Sequence, residues 1–195
     1  MNLKGFSIVL VLLVASCDAG ILLCGRYVCV AAHDDCFGGS CDHQHLSCES
    51  AGITRDRVPE ILNQLRDARR SCSADHQLGE FNEPVLWNDR LSVAANAHAR
   101  DMAENNFVSF VGTDSSTTET RVQNAEDYNR LGETILGRAE TSASAINHWL
   151  DTQTDCELLL DSDFTEVGAA CATAPHNDRG PYWSLVLGDP NNLVE

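Results

Sequence analysis

The hydrophobic pattern of the chain predicts three helices, each with one buried face. The first covers "TRDRVPEILNQLRDARRSC" (54–72), where apolar residues recur with helical spacing and Pro59 suits a first helical turn. The second covers "NDRLSVAANAHARDMAENN" (88–106), and the third covers "TSASAINHWLDTQTDC" (141–156), with Thr141 or Ser142 as its N-cap. The predicted buried positions are Val58, Ile61, Leu62 and Leu65; Leu91, Ala94, Ala95, His98 and Met102; and Ala145, Ile146, Trp149 and Leu150.

Two later runs have the composition of β-strands. They are "FTEVGAACATA" (164–174) and "PYWSLVLG" (181–188), and the turn-forming "PHNDRG" separates them. A short turn between two strands predicts a hairpin of antiparallel neighbours. Helices combined with late strands predict an α+β or layered α/β domain.

Two histidines lie on the predicted helices. His98 falls on the apolar side of the second helix, which favours a hydrogen-bonded core histidine over a metal ligand or a catalytic base. His148 is next to Trp149 in the sequence and therefore points to another face of the third helix, which predicts a surface position.

The first sixteen residues predict export. Lys4 precedes an apolar run from Phe6 to Ala15, which is too short to span a bilayer and is typical of a signal peptide. The sequence "VASC" (14–17) is typical of the lipobox of bacterial lipoproteins, in which the cysteine, here Cys17, becomes the lipidated first residue. The alternative is an ordinary signal-peptidase cut near Ser16 or Gly20.

Charge and cysteine content restrict the classes of partner and compartment. The formal net charge is -16, and Lys4 in the predicted signal is the only lysine. Such a surface repels nucleic acid and anionic lipid headgroups, so no nucleic-acid partner is predicted. There are nine cysteines, and setting Cys17 aside leaves an even number for disulfides in an oxidising compartment outside the cytoplasm.

Five of the cysteines are close together in "CGRYVCVAAHDDCFGGSCDHQHLSC" (24–48), with little periodic apolar content between them. Such a segment is typical of a disulfide-stapled knob or spacer, because it cannot build a core of its own. Its histidines and aspartates offer zinc binding as an alternative. The usual CxxC spacing is absent and exported thiols tend to oxidise, which favours disulfides over zinc. The histidines and aspartates concerned are His33, Asp34, Asp35, Asp42, His43 and His45.

Several short runs together resemble the CAP superfamily (cysteine-rich secretory proteins, antigen 5 and pathogenesis-related 1 proteins), in particular its bacterial SCP-like branch. They are "ILNQLRDARRSC", "PVLWNDRLSVAANAHARDMAENNF", "GETI", "AINHWLDTQTDCELLLDSDFTEVGAA" and "YWSLVLG", in the family's order. The resemblance implies an α+β fold, a three-layer α-β-α sandwich, over residues 55–190. The predicted division is then a signal peptide (1–16), a Cys-rich segment (17–54), the CAP/SCP-like domain (55–190) and a tail (191–195).

The resemblance also implies a disulfide. In the bacterial branch, a cysteine after the first helix tends to pair with one shortly after the Trp-bearing helix, which here implies the pair Cys72 and Cys156. Cys171 is then expected to join the remaining N-terminal cysteines, which are Cys24, Cys29, Cys36, Cys41 and Cys48.

Family members carry a cleft lined by two histidines and acidic residues, which in some members holds a metal ion. This chain departs from that pattern. Phe110 in "FVSF" stands where relatives have the histidine of "FFSH", and Asp155 stands at the second histidine. Glu133 of "GETI" keeps the family's glutamate, although Thr134 replaces the asparagine that usually follows it.

Two carboxylates without an imidazole make a poor zinc site, so neither a metal centre nor a cofactor is predicted. If Glu133 and Asp155 face each other, they are able to hold a divalent cation weakly through water or to share a proton. The Phe110 ring is expected to fill the place of the imidazole and to exclude water. The alternative for Glu133 is a buried carboxyl that ties loops together by hydrogen bonds to the backbone.

These departures favour a binding or interaction module over an enzyme. Ser109, Ser115 and Ser116 have no adjacent base, and His76 and His176 lie in separate turn-like segments, so nothing supports a serine–histidine relay. The resemblance implies a lipid, a sterol or an envelope component as the ligand, with membrane attachment through Cys17. The alternatives are an envelope hydrolase with a carboxylate or metal site and a structural spacer or partner-recognition protein.

Overall fold

The computed structural model describes residues 21–24, 27–30, 55–68, 71–72, 83–174 and 181–191. The predicted signal peptide (1–16), the lipidation site Cys17, most of the Cys-rich segment and the tail beyond residue 191 lie outside the described residues. No helix within the described ranges has the length and hydrophobicity needed to cross a membrane.

Among the described residues, the domain has five α-helices and the four strands of one sheet, and a short hairpin precedes them in the sequence. The helices are α1 (Arg57–Asp67), α2 (Asp89–Asn105), α3 (Thr118–Arg121), α4 (Ser142–Asp151) and α5 (Gln153–Leu160). The strands of the sheet are β3 (Leu86–Trp87), β4 (Tyr128–Gly137), β5 (Glu166–Ala172) and β6 (Tyr182–Pro190). The hairpin consists of β1 (Ile21–Cys24) and β2 (Tyr27–Val30), and it lies within the Cys-rich segment, where no strand was predicted.

The sheet is mixed, and its strand order is β3-β5-β6-β4. The short strand β3 runs parallel to β5, while β6 is antiparallel to both of its neighbours. The predicted hairpin of neighbouring antiparallel strands is therefore confirmed as β5 and β6. The last strand in the sequence lies in the interior of the sheet, between β5 and β4.

Helices cover both faces of the sheet, as the α-β-α sandwich requires. Alternate residues of β5 and β6 point to opposite faces because successive side chains of a strand alternate. Val167, Trp183 and Leu185 pack with α1, α4 and α5 in the larger core. Ala170 and Val186 pack with α2 on the other face.

The predicted first and second helices are confirmed as α1 and α2, while the third is divided. Thr141 is the N-cap of α4, and its hydroxyl oxygen accepts a hydrogen bond from the Ser144 N–H at 3.1 Å. The backbone of Thr152 is extended (φ −98°, ψ 121°), which ends α4 and starts α5 in a new direction. The predicted single helix over 141–156 is therefore two helices with one extended residue between them.

Helix α1 is tied to the α5 region by a disulfide and by a buried arginine. The structure joins Cys72 to Cys156, the pair that the family resemblance implies, with 84 residues of sequence separation. The Arg66 guanidinium donates to the carbonyls of Leu159 (3.1 Å) and Phe164 (2.8 Å), and its burial lowers the pKa to about 10. Cys171 is also disulfide-bonded.

Helix α2 approaches the backbone of β5 so closely at Gly168 that no side chain fits there. A Cβ at this position would collide with backbone atoms of Leu91 and Ser92. We expect Gly168→Ala to lower the free energy of unfolding by about 2 to 3 kcal/mol, because a backbone contact relaxes less easily than a side chain. Urea denaturation measures the change.

Gly137→Ala is the matched control for Gly168→Ala. A Cβ at Gly137 would meet side-chain atoms of Val108 (3.2 Å) and Tyr182 (3.5 Å), which are able to shift. Equal effects of the two substitutions on the free energy of unfolding would contradict the proposed close approach of α2 to β5.

Candidate functional site

The carboxylate of Glu133 is the buried centre of the candidate site. Glu133 lies in the middle of β4 opposite Val186 of β6, and its side chain is only 1% exposed. The Thr118 hydroxyl donates to Oε2 at 2.6 Å, and the Ser184 hydroxyl donates to Oε1 at 2.7 Å. Arg121 Nη2 also donates to Oε2 at 2.6 Å and forms an ion pair. Both oxygens of the carboxylate therefore accept hydrogen bonds from side chains of the same chain.

Arg121 connects this carboxylate to the loop that follows α2. Its guanidinium side chain is 6% exposed. Nη2 donates to the Phe110 carbonyl at 3.1 Å as well as to Glu133, and Nη1 donates to the Ser116 carbonyl at 2.9 Å. One arginine thus fixes two points of the loop to the edge strand of the sheet.

Asp101 provides a second anchor for the same loop. Its carboxylate accepts hydrogen bonds from the Thr113 N–H (2.8 Å) and the Thr113 hydroxyl (2.6 Å). The loop leaves α2 through Asn106, whose backbone is left-handed (φ 57°), a conformation that asparagine tolerates better than most residues. The Asn106 side chain accepts a hydrogen bond from the Tyr182 hydroxyl at 2.8 Å. Polar contacts thus anchor the loop to α2 through Thr113 and to β6 through Asn106.

His98 lies in the core beside this ion pair, as its place on the apolar face of α2 predicts. Its side chain is buried, and Nε2 is 2.8 Å from the Ser109 carbonyl oxygen. A carbonyl accepts only, so Nε2 carries the proton and Nδ1 is the unprotonated nitrogen in the neutral ring. Nδ1 has no hydrogen-bond partner among the described residues. Burial is the main cause that lowers the pKa of His98; Glu133 opposes this effect and Arg121 adds to it.

We expect the domain to lose stability below about pH 6.5, in part because of His98. The unfolded histidine binds a proton as the pH falls through its ordinary pKa of 6.5, while the buried ring does so only at lower pH. Protonation of His98 then favours the unfolded chain. The free energy of unfolding therefore falls as the pH drops from 6.5 to the lowered pKa of the folded protein. Urea denaturation at pH 7.0 and pH 5.5 should give a smaller difference for His98→Gln than for the wild type. The same difference in both proteins would contradict this assignment.

The structure corrects the expected role of Phe110 and bears out only part of the alternative for Glu133. The Phe110 ring does not fill the place of an imidazole, because the residue is 51% exposed and only its carbonyl reaches Arg121. Glu133 is a buried carboxyl that ties the loop to the sheet, as the alternative predicts, but its hydrogen bonds come from side chains rather than from the backbone.

Asp155 is not part of the Glu133 site. It lies on α5 close to Thr134, the neighbour of Glu133 on β4, and burial raises its pKa. Adjacent residues of a strand point to opposite faces, so Glu133 faces α2 while Thr134 faces α5. The two carboxylates therefore cannot share a cation or a proton. Within the described ranges, no group of three or more His, Cys, Asp and Glu side chains converges on a point.

Sequence reasoning missed Arg121, Thr118 and Ser184. Each contacts Glu133 across 12 or more residues of chain, and none belongs to a motif with recognisable chemistry. The available signal was a single arginine inside the polar stretch "GTDSSTTETRV" (112–122) ahead of the retained glutamate.

The fold agrees with the comparison against known proteins. The family model of the cysteine-rich secretory protein family, CAP, matches residues 60–187. The chain belongs to the CAP family. The described part of its CAP domain has the family's α+β arrangement, with a mixed four-stranded sheet between helices.

The relatives of this CAP domain are extracellular, outer-surface or membrane-associated proteins. The membrane protein YlbC of Bacillus subtilis (strain 168) is 29% identical over 106 residues, which cover 54% of this chain and 30% of YlbC. The chain therefore matches less than a third of the length of that curated relative.

Two solved structures share the fold. An outer surface protein of Borrelia burgdorferi matches with a TM-score of 0.56 and 17% identity, over 69% of this chain and 90% of that chain. An extracellular protein containing a SCP domain, from Bacillus anthracis str. Ames, matches with a TM-score of 0.52 and 20% identity, over 67% of this chain and 38% of that chain. At these identities the likeness shows the fold alone.

Proposed function

We propose that this protein is an exported CAP-domain binding module in which an arginine occupies the place of a metal ion. The observation that carries the proposal is the ion pair between Arg121 and Glu133, at 2.6 Å and almost fully buried. A zinc site normally needs at least three protein ligands, with carboxylates free to coordinate. Here Glu133 is bound to a guanidinium and two hydroxyls. By the family resemblance, Phe110 and Asp155 stand where relatives have histidine.

The arrangement around Glu133 also argues against metal-dependent or carboxylate-based hydrolysis at this position. A general acid or base must reach the substrate, and a nucleophilic carboxylate must be exposed to it. The Glu133 side chain is buried beneath α3 and the loop, with both oxygens engaged. The domain therefore acts through its surface, by binding. The ligand proposed from the family resemblance is a lipid, a sterol or another envelope component.

Metal analysis of the purified full chain tests this function. Elemental analysis and isothermal titration with zinc chloride should show no stoichiometric zinc in the wild type, and Glu133→Gln should behave in the same way. Glu104→Gln, at an exposed position on α2, is the matched control. One equivalent of zinc in the wild type that disappears in Glu133→Gln, but stays in Glu104→Gln, would overturn the proposal.

The proposed location is the extracytoplasmic face of a bacterial envelope, with Cys17 as a lipid attachment site. Support comes from the apolar run that precedes Cys17 and from the surface or membrane location of the relatives. Intact mass spectrometry of membrane-extracted protein should show a lipidated N-terminal Cys17. A free N-terminus at residue 17 or beyond, without added mass, would rule out the anchor and leave a secreted protein.

A further inference from the structure

The loop after α2 presents three apolar side chains to solvent, and we call them the apolar tip. Val108, Phe110 and Val111 are 54%, 51% and 50% exposed. The other large apolar side chains with comparable exposure among the described residues are Leu86 and Val93, and neither belongs to such a cluster. An aromatic residue flanked by exposed valines within four positions is typical of a contact surface, because isolated exposed apolar residues are the usual case.

Hydrogen bonds from side chains of α2 and α3 hold the backbone of the apolar tip. Arg121 binds the Phe110 carbonyl, and the Ser109 carbonyl accepts from His98. The Val111 N–H donates to the Ser109 hydroxyl at 3.2 Å, which closes a tight turn between them. A partner that binds a preformed loop does not have to order it, so less binding free energy is lost. The buried ion pair between Arg121 and Glu133 thus has a consequence at the surface, since it fixes the backbone that carries Phe110.

Charged residues near the apolar tip are mostly acidic. Glu104, Asp114 and Glu119 are exposed on α2, on the loop and on α3. Arg121 is buried against Glu133, whereas Arg100 is exposed in an ion pair with Glu104. Arg138 is also exposed, directly after Gly137, which faces Val108, so the acidic side chains outnumber the exposed arginines around the apolar tip but do not exclude them. A membrane with anionic headgroups is repelled by such a surface, and so is a second copy of a chain with net charge -16. A partner with basic residues gains from it.

We propose that the apolar tip is a docking site for another protein, one that receives Phe110 in an apolar pocket bordered by lysine or arginine side chains. The inference rests on the proposed binding function. Of the ligands proposed there, it selects a protein of the envelope whose apolar pocket is bordered by basic residues. Phe110 has the role of the buried aromatic anchor that carries much of the affinity in such interfaces, with Val108 and Val111 excluding water around it. The acidic residues set orientation and association rate.

Selection from a phage-displayed library of random 12-residue peptides against the immobilised full chain tests the proposal. Enriched peptides should combine aromatic or aliphatic residues with lysine or arginine. A synthetic copy of an enriched peptide should lose at least tenfold in affinity for Phe110→Ser and should bind more weakly at 0.5 M than at 0.05 M NaCl. Val93→Ser, which removes another exposed apolar side chain from α2, is the matched control and should keep wild-type affinity.

Three results would overturn the docking site. They are enriched peptides that are acidic, binding that Phe110→Ser leaves unchanged, and wild-type binding to phosphatidylglycerol vesicles that Phe110→Ser abolishes. Peptide binding that does not depend on Phe110 would refute this inference while leaving the proposed binding function intact. Stoichiometric zinc on Glu133 would refute that function without deciding whether the apolar tip binds a peptide.

Discussion

Replacing Arg121 with alanine is expected to lower the free energy of unfolding by about 3 to 5 kcal/mol, because it leaves the Glu133 carboxylate buried without its cation. The substitution also removes the hydrogen bonds that Arg121 donates to the carbonyls of Phe110 and Ser116. The backbone amides of the loop should therefore exchange faster with solvent. Urea denaturation measures the loss of stability, and hydrogen exchange by mass spectrometry measures the loosening of residues 107–117.

Two further variants decide whether the buried charge is the cause. Arg100→Ala removes an arginine whose side chain is 65% exposed and pairs with Glu104 four residues away, so it should change stability by less than about 0.5 kcal/mol. Arg121→Met combined with Glu133→Leu removes both charges together and should recover a large part of the loss. If Arg121→Ala proves no more harmful than Arg100→Ala, the ion pair does not stabilise the domain.

Replacing both Cys72 and Cys156 with alanine is expected to cost about 4 to 5 kcal/mol of stability. The disulfide joins residues that are 84 positions apart, and the chain-entropy model assigns this amount to a loop of that length. Urea denaturation of the double variant, under conditions that keep the other disulfides oxidised, measures the change. Because the closed loop contains α2, β4 and α4, the unfolded chain gains freedom over most of the domain.

The Arg66 contacts help to separate the effect of the disulfide from that of packing. Arg66 links α1 to the carbonyls of Leu159 and Phe164 without any covalent bond. The double alanine variant should therefore keep the native far-UV circular dichroism spectrum in the absence of denaturant. If the free energy of unfolding falls by less than about 1 kcal/mol, the Cys72–Cys156 disulfide does not constrain the unfolded chain.

Local sequence pattern was sufficient for α1, α2, the start of α4 and the hairpin of β5 and β6. The buried stripe of α2, from Leu91 to Met102, reads as a helix because the period of apolar positions is preserved over several turns. The N-cap at Thr141 was visible because a hydroxyl side chain precedes the apolar positions of α4. In these elements, local preference and tertiary packing favour the same structure.

Strand β4 could not be predicted in this way. Its sequence "YNRLGETILG" (128–137) contains two glycines and a glutamate and does not alternate cleanly between apolar and polar residues. It forms a strand because β6 provides hydrogen-bond partners along its length, and the paired residues are 45 to 62 positions apart in the sequence. Pairing with a distant strand overrides local preference here.

The missing strand also explains why the site was only partly predicted. Family resemblance identified Glu133, but the face to which it points depends on the strand register, in which Glu133 is opposite Val186. A shift of one residue would have exchanged Glu133 and Thr134 and brought the glutamate to the side of Asp155. Arg121 lies on a single-turn helix that ordinary helical periodicity does not mark.

For a chain that is exported as proposed, the position of β6 bears on how the final structure is reached. This strand is the last of the sheet to be synthesised, yet it separates β5 from β4, which has no other strand partner among the described residues. Until residues 182–190 have left the ribosome and crossed the membrane, β4 has nothing with which to pair. Long-range pairing of this kind is slow, so premature folding in the cytoplasm is disfavoured. The strand order thus gives a secretion channel time to thread the chain while it is still extended.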